Sequence, residues 1–370
     1  MIKLYYSIRR LKRVSKYYFA KVVGKKAMID KDITIYDIAK EANVSPATVS
    51  RVLTGSAQVK EDKKERVLEI IKRNNFQPNA VARSLFKKKS MMIGFILPDI
   101  TNPFFSIVFL EAEKAALKLG YSMILCNSMN NAKVESLHLN TLAEKQIDAI
   151  IFMGGRVNTV KTNPNYALEL QRLAEKIPLV IVNGKMTGVD CYKVITDEEE
   201  GIIELVDYLV GLGHKDIAIL GGITTVTSTA IKHKAYVKAL RKHGIKLDKN
   251  LIVTEDFSID SGTRGMEKLL KGKRVPTAVM GINDLVAIGA IRAIKAAGLK
   301  VPQDISVTGF DGSYISELGS PQLTTVYQNY EDIGIIAVDT IIQVIKRLEV
   351  PKEKSIKTKL IIRESCSVKP

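Results

Sequence analysis

Apolar positions between Thr34 and Phe76 recur at three- and four-residue intervals in three short blocks. In IYDIAKEA, Ile35, Ile38, Ala39 and Ala42 share one face of a helix. In NVSPATVSRVL the inward positions are Val44, Val49, Val52 and Leu53; in KEDKKERVLEIIKRNNF they are Val67, Leu68, Ile71 and Phe76. Ser45 is suited to cap the second helix, and Pro46 falls at its first position, where a missing N–H costs nothing. Asn43 occupies the tight turn before it, a place that calls for positive φ, which asparagine tolerates.

Two helices joined by so short a turn form a helix-turn-helix, whose second helix can enter the major groove of DNA. The same pattern also suits an αα-hairpin inside a bundle. QPNAVARSLFKKKS follows, in which Pro78 and Asn79 open a helix running only to about Phe86. That is shorter than the ~12–15 residues an isolated helix needs to be even marginal in water. This segment is therefore a linker when free and a helix only when something else holds it.

From Met92 the period changes. Short apolar runs (MIGFILP, YSMILCN, DAIIFMG, PLVIVNG, DIAILGG, LIVTEDF, TAVMGIN and ISVTGFD) alternate with helical patterns over 104–119, 133–146, 199–212, 229–243, 260–271 and 284–297. Such alternation predicts parallel sheets with helices on both faces. The units are too many for one compact sheet. Two similar α/β lobes with a cleft between them are expected, with any ligand at the carboxyl ends of the strands. A chain of 370 residues is also long for a single core.

Charge sharpens the first part of the picture. Residues 1–89 hold 22 Lys/Arg against 8 Asp/Glu, a net of +14 out of the whole chain's +17. One end is strongly cationic and the body nearly neutral, which points to a polyanionic partner. With Thr48, Ser50 and Arg51 expected to be exposed on the second helix, the charge favours DNA over a plain bundle. Residues 1–31 carry ten Lys/Arg, one Asp and the aromatics Tyr5, Tyr6, Tyr17, Tyr18 and Phe19. They read either as a basic arm or as an extension without a structural task, and the second reading is preferred. Met28, just ahead of the organised segment, is an alternative start.

Cys126, Cys191 and Cys366 are odd in number and far apart, which suits a reducing compartment rather than a disulfide framework. Basic residues interrupt any hydrophobic region a signal peptide would need, so a cytoplasmic location is expected. His138, His214, His233 and His243 are scattered, with no HExxH, no phosphate-binding GxxxxGK[ST] and no nucleophile-elbow GxSxG. Neither an enzyme, nor a metal site, nor a cofactor is expected. The paired glycines at 154–155 and 221–222 read as tight turns.

The polar groups at strand ends look like binding groups. Asn102, Phe104 and Phe105 follow the first strand, Asn283 and Asp284 another, and Asp311 follows VTGF. An aromatic face with amides and carboxylates suits a sugar or nucleobase. Each also has a plainer reading: the asparagines as helix caps, Asp311 as a turn residue, the phenylalanines as core.

Taken together, TIYDIAKEANVSPATVSRVL, NDLVAIGAI, VPQDISVTGFD and SPQLTTVYQN make the chain resemble the lactose-repressor (LacI/GalR) family of bacterial transcription regulators, over nearly all of 33–365. Within it, the catabolite-control regulators of Gram-positive bacteria look most similar. The resemblance implies a homodimer in which each helix-turn-helix reads half of a pseudo-palindromic operator in double-stranded DNA. On the matching positions Pro46, Ala47, Ser50 and Arg51 face the major groove, with Arg51 pairing a guanine and Thr48 or Ser50 a phosphate. Asn79 to Phe86 matches the hinge helix. Asn79, Ala82 and Leu85 would lie in the minor groove, with Leu85 as the wedge that unstacks one base step.

The fold implied is α/β: a helix-turn-helix headpiece with a hinge helix, then a two-lobed periplasmic-binding-protein-like core of parallel sheets with three crossover strands. The expected bounds are a disordered extension over 1–31, the DNA-binding domain over 32–77, hinge and linker over 78–90, and the core over 91–370. Within the core the first lobe is expected over 91–189 and 313–347, the second over 190–311 and 350–365. The effector site would comprise Asn102, Phe104, Phe105, Lys232, Asn283 and Asp311.

Two departures bear on the effector. Where many sugar-responsive members carry arginines, TSTAIKHKAY has Lys232 with Ala230 and His233, so no guanidinium fork is available. After GFD the chain reads Gly312, Ser313, Tyr314 and Ile315, without the basic residue a phosphoserine would want. A small sugar or sugar phosphate is therefore preferred as effector of a nucleoid-associated repressor of carbohydrate-use genes. The alternative is control by a serine-phosphorylated phosphocarrier protein. A solute-binding protein of a transporter has the same lobes but no use for the headpiece; no membrane partner is expected.

Overall fold

The structure, a computed structural model, describes residues 33–54, 57–76 and 89–369. The extension expected over 1–31 and the hinge residues Asn79, Ala82 and Leu85 lie outside the described residues. The chain divides into two compact units, Met1–Lys88 and Lys89–Pro370.

In the first unit, helices α1 (Ile35–Glu41), α2 (Pro46–Thr54) and α3 (Glu61–Arg73) follow the three blocks of the sequence pattern. A capping box starts α1: Thr34 Oγ1 accepts from Asp37 N, and Asp37 Oδ2 accepts from Thr34 N. Asn43 takes a φ of 54°, as the turn requires, and Ser45 Oγ accepts from Thr48 N at 3.2 Å, with Pro46 opening α2. Ile38, Ala39, Ala42, Val49, Val67 and Ile70 are buried together, with Ile35, Val44, Val52, Leu53, Ile71 and Phe76 packed around them. One expectation is corrected. Leu68 is 45% exposed, and Ile70 takes its place inside. At 3.6 residues per turn the buried line of α3 runs Val67, Ile70 and Ile71, and Leu68 lies about 100° off Val67.

The second unit begins with β1 (Met92–Leu97), α4 (Pro103–Lys118), β2 (Ser122–Asn127), α5 (Ala132–Glu144), β3 (Ala149–Met153), α6 (Pro164–Ala174), β4 (Leu179–Val182) and β5 (Tyr192–Thr196). The chain then crosses into a second lobe. There run α7 (Glu198–Gly211), β6 (Ile217–Leu220), α8 (Thr227–Lys242), β7 (Ile252–Val253), α9 (Ile259–Leu270) and β8 (Ala278–Gly281). These are followed by α10 (Asp284–Ala296), β9 (Ser306–Asp311), the short α11 (Ile315–Leu318) and β10 (Thr324–Tyr327). It returns to the first lobe for α12 (Tyr330–Ile345) and β11 (Glu353–Ile356), and crosses once more to β12 (Lys359–Ile361).

The first sheet has the order β11-β5-β4-β3-β1-β2 and is parallel throughout; the second, β12-β10-β9-β8-β6-β7, is parallel except where β12 runs against β10. Central strands such as β3, β4, β8 and β9 are buried along their whole length, as covering by helices on both faces demands.

All eight expected strands and six expected helices of this unit are present, but the lobe bounds need correction. β5 and β11 belong to the first sheet, and residues 313–327, with β10, belong to the second. The strands involved are short and only partly apolar. β5 reads YKVIT and β11 reads EKSI near one edge of the sheet, so neither carries the run of apolar residues that marks a central strand. Helices α6 and α12 are likewise present beyond those expected.

A buried ion cluster fixes the loop after β3. Arg156 donates from Nε to Glu135 Oε2 at 2.7 Å, from Nη1 to Glu169 Oε2 at 2.6 Å, and from Nη2 to Ser136 Oγ and Ala132 O. Arg156 also lies over the Tyr166 ring, 4.6 Å from its centroid. Gly154 and Gly155 take φ of 69° and 56°, and a Cβ at Gly155 would overlap Glu135 Oε1. Arg156→Ala leaves Glu135, only 1% exposed, as an uncompensated charge. The expected cost is about 3–5 kcal/mol, read as a lower midpoint in urea unfolding of the full chain; an unchanged midpoint would contradict it.

Candidate functional site

Two places collect the residues singled out in the sequence. On α2, Pro46, Ala47 and Arg51 are exposed and Thr48 is half-buried, so Ala47 and Arg51, one turn apart, share an accessible face. Ser50 differs from expectation. It is about 9% exposed, because the inward side of α2 that buries Val49 takes Ser50 with it. The accessible face therefore consists of Pro46, Ala47, Thr48 and Arg51.

The second place is the cleft between the lobes, a cavity of about 150 Å³ at the carboxyl ends of the strands. Asn102, Phe104, Phe105, Lys232, Asn283 and Asp311 all line it. The asparagines do two things at once. Asn102 Oδ1 accepts from Phe104 N at 3.1 Å and caps α4; Asn283 Oδ1 accepts from Val286 N at 2.9 Å and caps α10. Capping is what holds these amides at the cleft wall, so the structural and the binding readings coincide. Phe104 packs on Phe105 and Tyr330 with centroids 5.4 and 6.1 Å apart. Asp284, one residue past Asn283, turns elsewhere: its carboxylate accepts from Ser313 N, Ser313 Oγ and Thr325 Oγ1, which holds the loop after β9.

Lys232 is buried in the wall. Its ammonium donates to Ile282 O at 3.1 Å, lies 3.5 Å from Glu198 Oε1 and 3.7 Å from the Phe310 ring centroid. Asp311 Oδ1 accepts from Gln328 Nε2 at 2.7 Å, and Tyr330 Oη donates to Asp311 O at 2.6 Å. Gln328 Oε1 in turn accepts from Thr196 Oγ1 at 2.8 Å and Asn183 Nδ2 at 3.2 Å. On the opposite side of the cleft Val160 N donates to Thr225 O, and Ser228 N to Asn158 Oδ1, a second tie between the lobes.

Burial pushes the Asp311 carboxyl up to about 8; Lys232 opposes this, Asp284 adds to it, the Gln328 hydrogen bond opposes it and Glu198 adds to it. Burial also raises Asp284, against the hydrogen bonds from Thr325 and Ser313.

Glu198, Asn158, Asn183 and Gln328 also belong to this wall and were not singled out in the sequence. Glu198 opens a helix with three consecutive glutamates, where acids are favoured by the helix dipole alone, so nothing marked it. Gln328 stands two residues before Tyr330, at a crossover that only the sheet topology reveals. Among the described residues, no group of three or more His, Cys, Asp or Glu is placed to hold a metal ion, and no helix is long and apolar enough to cross a membrane.

A helix-turn-helix unit on the same chain as a two-lobed binding-protein fold defines the class of effector-responsive transcriptional regulators. Residues 34–79 match the bacterial regulatory proteins of the lacI family, and residues 206–366 match the periplasmic binding protein-like domain. Catabolite control protein A of Priestia megaterium is 38% identical over 83% of this chain and 91% of its own. The structure is similar to that of the lac repressor dimer bound to operator and the anti-inducer ONPF, with a TM-score of 0.81 at 27% identity over 91% of this chain and 100% of that one. It is also similar to the complex of the transcriptional regulator CelR with cellobiose, with a TM-score of 0.68 at 26% identity over 90% and 99% of the two chains. The chain belongs to the lacI family of DNA-binding transcriptional regulators.

The raised Asp311 carboxyl gives a pH signature. Below its ordinary value of 3.8 both folded and unfolded chains hold the proton, and Asp311 costs nothing. As pH rises toward about 8 the unfolded chain releases the proton first, so stability falls across that window and levels off above it. Asp311→Asn removes the titration while keeping an acceptor for Gln328. Its melting temperature is expected to gain on the unmodified chain by a few degrees between pH 4 and 8; a difference independent of pH would contradict the assignment.

Proposed function

We propose that the chain is a homodimeric repressor of carbohydrate-use genes. It binds a pseudo-palindromic operator, and a small sugar or sugar phosphate in the interlobe cleft sets its operator affinity. The observation that carries this reading is the convergence of Asn102, Phe104, Phe105, Lys232, Asn283 and Asp311 on one cavity. Amides and carboxylates supply directed hydrogen bonds, and the phenylalanines supply an apolar face for a pyranose or furanose ring. The likeness to the operator-bound lac repressor dimer and to the CelR–cellobiose complex supports both halves of the reading. We read the cleft as a binding site rather than a catalytic one, and the protein as acting on the nucleoid in the cytoplasm.

At the DNA, Arg51 would pair a guanine bidentately, Pro46 and Ala47 would meet base edges and Thr48 a phosphate. Asn79, Ala82 and Leu85 would occupy the minor groove on a hinge helix held by the DNA and by its dimer mate. Exposed apolar side chains support dimerisation: Leu110 and Leu117 on α4, Leu125 in β2 and Met129 just after it are 37–67% exposed on the first lobe.

The alternative that the resemblance to catabolite-control regulators implies is control by a serine-phosphorylated phosphocarrier protein. Gly312 to Ile315, without a cation to receive the phosphoserine, argue against that partner at this position.

Arg51→Ala tests the DNA half. Fluorescence anisotropy with the cognate operator is expected to show a loss of about 1–3 kcal/mol and relaxed preference at one base pair. Binding to random DNA should change little and fall steeply with salt. Unchanged affinity for both DNAs would remove α2 from the groove.

A further inference from the structure

The cleft wall is lopsided in charge. Among the described residues lining it are three acids, Asp99, Glu198 and Asp311, the last held mostly protonated at neutral pH by its burial, and one cation, Lys232. That cation is already engaged by Ile282 O, the Glu198 carboxylate and the Phe310 face, and it is only 4% exposed. Glu198 is 7% exposed, and Lys232 is the ion-pair partner that compensates its burial.

Helix N-termini are the other usual anchors for an anion. Here three carry a side-chain cap, and α8, which has none, gives one first-turn N–H to the other lobe. Asn102 serves α4 and Asn283 serves α10, while Asp197 Oδ1 accepts from Glu200 N at the start of α7. The first turn of α8 spends Ser228 N on Asn158 Oδ1 of the other lobe. A phosphate entering the cleft would meet the buried Glu198 carboxylate and would have to take Lys232 from it, leaving that acid buried and unpaired. A neutral sugar meets the same groups as hydrogen-bond acceptors and donors at no such cost.

We infer that Glu198 is a specificity-determining residue of the cleft: by holding Lys232 it restricts the effector to an uncharged sugar and rejects phosphorylated ones. This rests on the cleft being the effector site and narrows the choice left open there. Glu198 acts as a built-in anion in the place where a phosphate would otherwise find its counter-charge. Replacing it by glutamine keeps the shape and an acceptor for Lys232 but removes the competing charge.

The test compares the full chain with Glu198→Gln by calorimetric titration against matched pairs: glucose with glucose 6-phosphate, ribose with ribose 5-phosphate, and fructose with fructose 1-phosphate. Inorganic phosphate is the simplest probe. The unmodified chain is expected to favour the free sugar of a responsive pair by at least about tenfold. Glu198→Gln should shift that ratio at least about tenfold toward the phosphorylated member and raise the affinity for inorganic phosphate. The double variant with Lys232→Met should lose the gain, which a merely structural effect of Glu198 would not require. Equal binding of both members by the unmodified chain would overturn the inference even if the variant fails to fold, as would an unshifted ratio in a folded variant. Binding of no sugar, free or phosphorylated, to the unmodified chain would instead bring down the effector site itself.

Discussion

A glutamine side chain bridges the two lobes where the polypeptide passes between them, beside the Tyr330–Asp311 contact. Gln328 donates to Asp311 of the second lobe and accepts from Thr196 and Asn183 of the first. Each lobe has its own apolar core. What relates them is three short crossings and a set of polar contacts. Packed cores resist continuous deformation, whereas hydrogen bonds between amides and a carboxyl can be exchanged for others at modest net cost. A small ligand that contributes its own hydrogen bonds to the same groups therefore has leverage on the lobe arrangement out of proportion to its size.

That leverage has a thermodynamic limit. A ligand shifts an equilibrium only by its differential affinity for the two states, and the operator must affect ligand affinity in return. The groups at the cleft suit such a role because they are prepaid. The asparagines are fixed by capping helices, Lys232 by an ion pair and a ring, and Asn158 by a loop anchored on Arg156. Little side-chain freedom remains to be lost on binding, which is how a small contact area yields useful affinity. Burial of three acids, Glu198, Asp284 and Asp311, with one ammonium paired to Glu198 alone, is the opposing cost. The upward push on Asp311 and Asp284 is its visible sign.

The same economy explains the headpiece. Its core is small, so local devices matter more than packed area: the Thr34–Asp37 box, the Ser45 cap, Asn43 at positive φ. Such devices are short-range, and they could be read from the sequence. Ser50 and Leu68 could not, since each lies at the margin of a helical face and its burial depends on the angle at which the neighbouring helices pack.

In the core, periodicity alone determined the strands buried on both faces, the helices covering them and the strand-end location of the binding groups. Continuous apolar runs and helical spacing are local properties of the chain. Resemblance then tied the cleft residues together, including Lys232. Tertiary structure alone decided which sheet β5, β10 and β11 join, because edge strands with mixed polarity are assigned by their neighbours and not by their own composition. It alone placed Glu198 against Lys232, residues 34 positions apart on different helices, and Gln328 between the lobes. A buried charge acquires its meaning from its partner, and the partner is chosen by the fold.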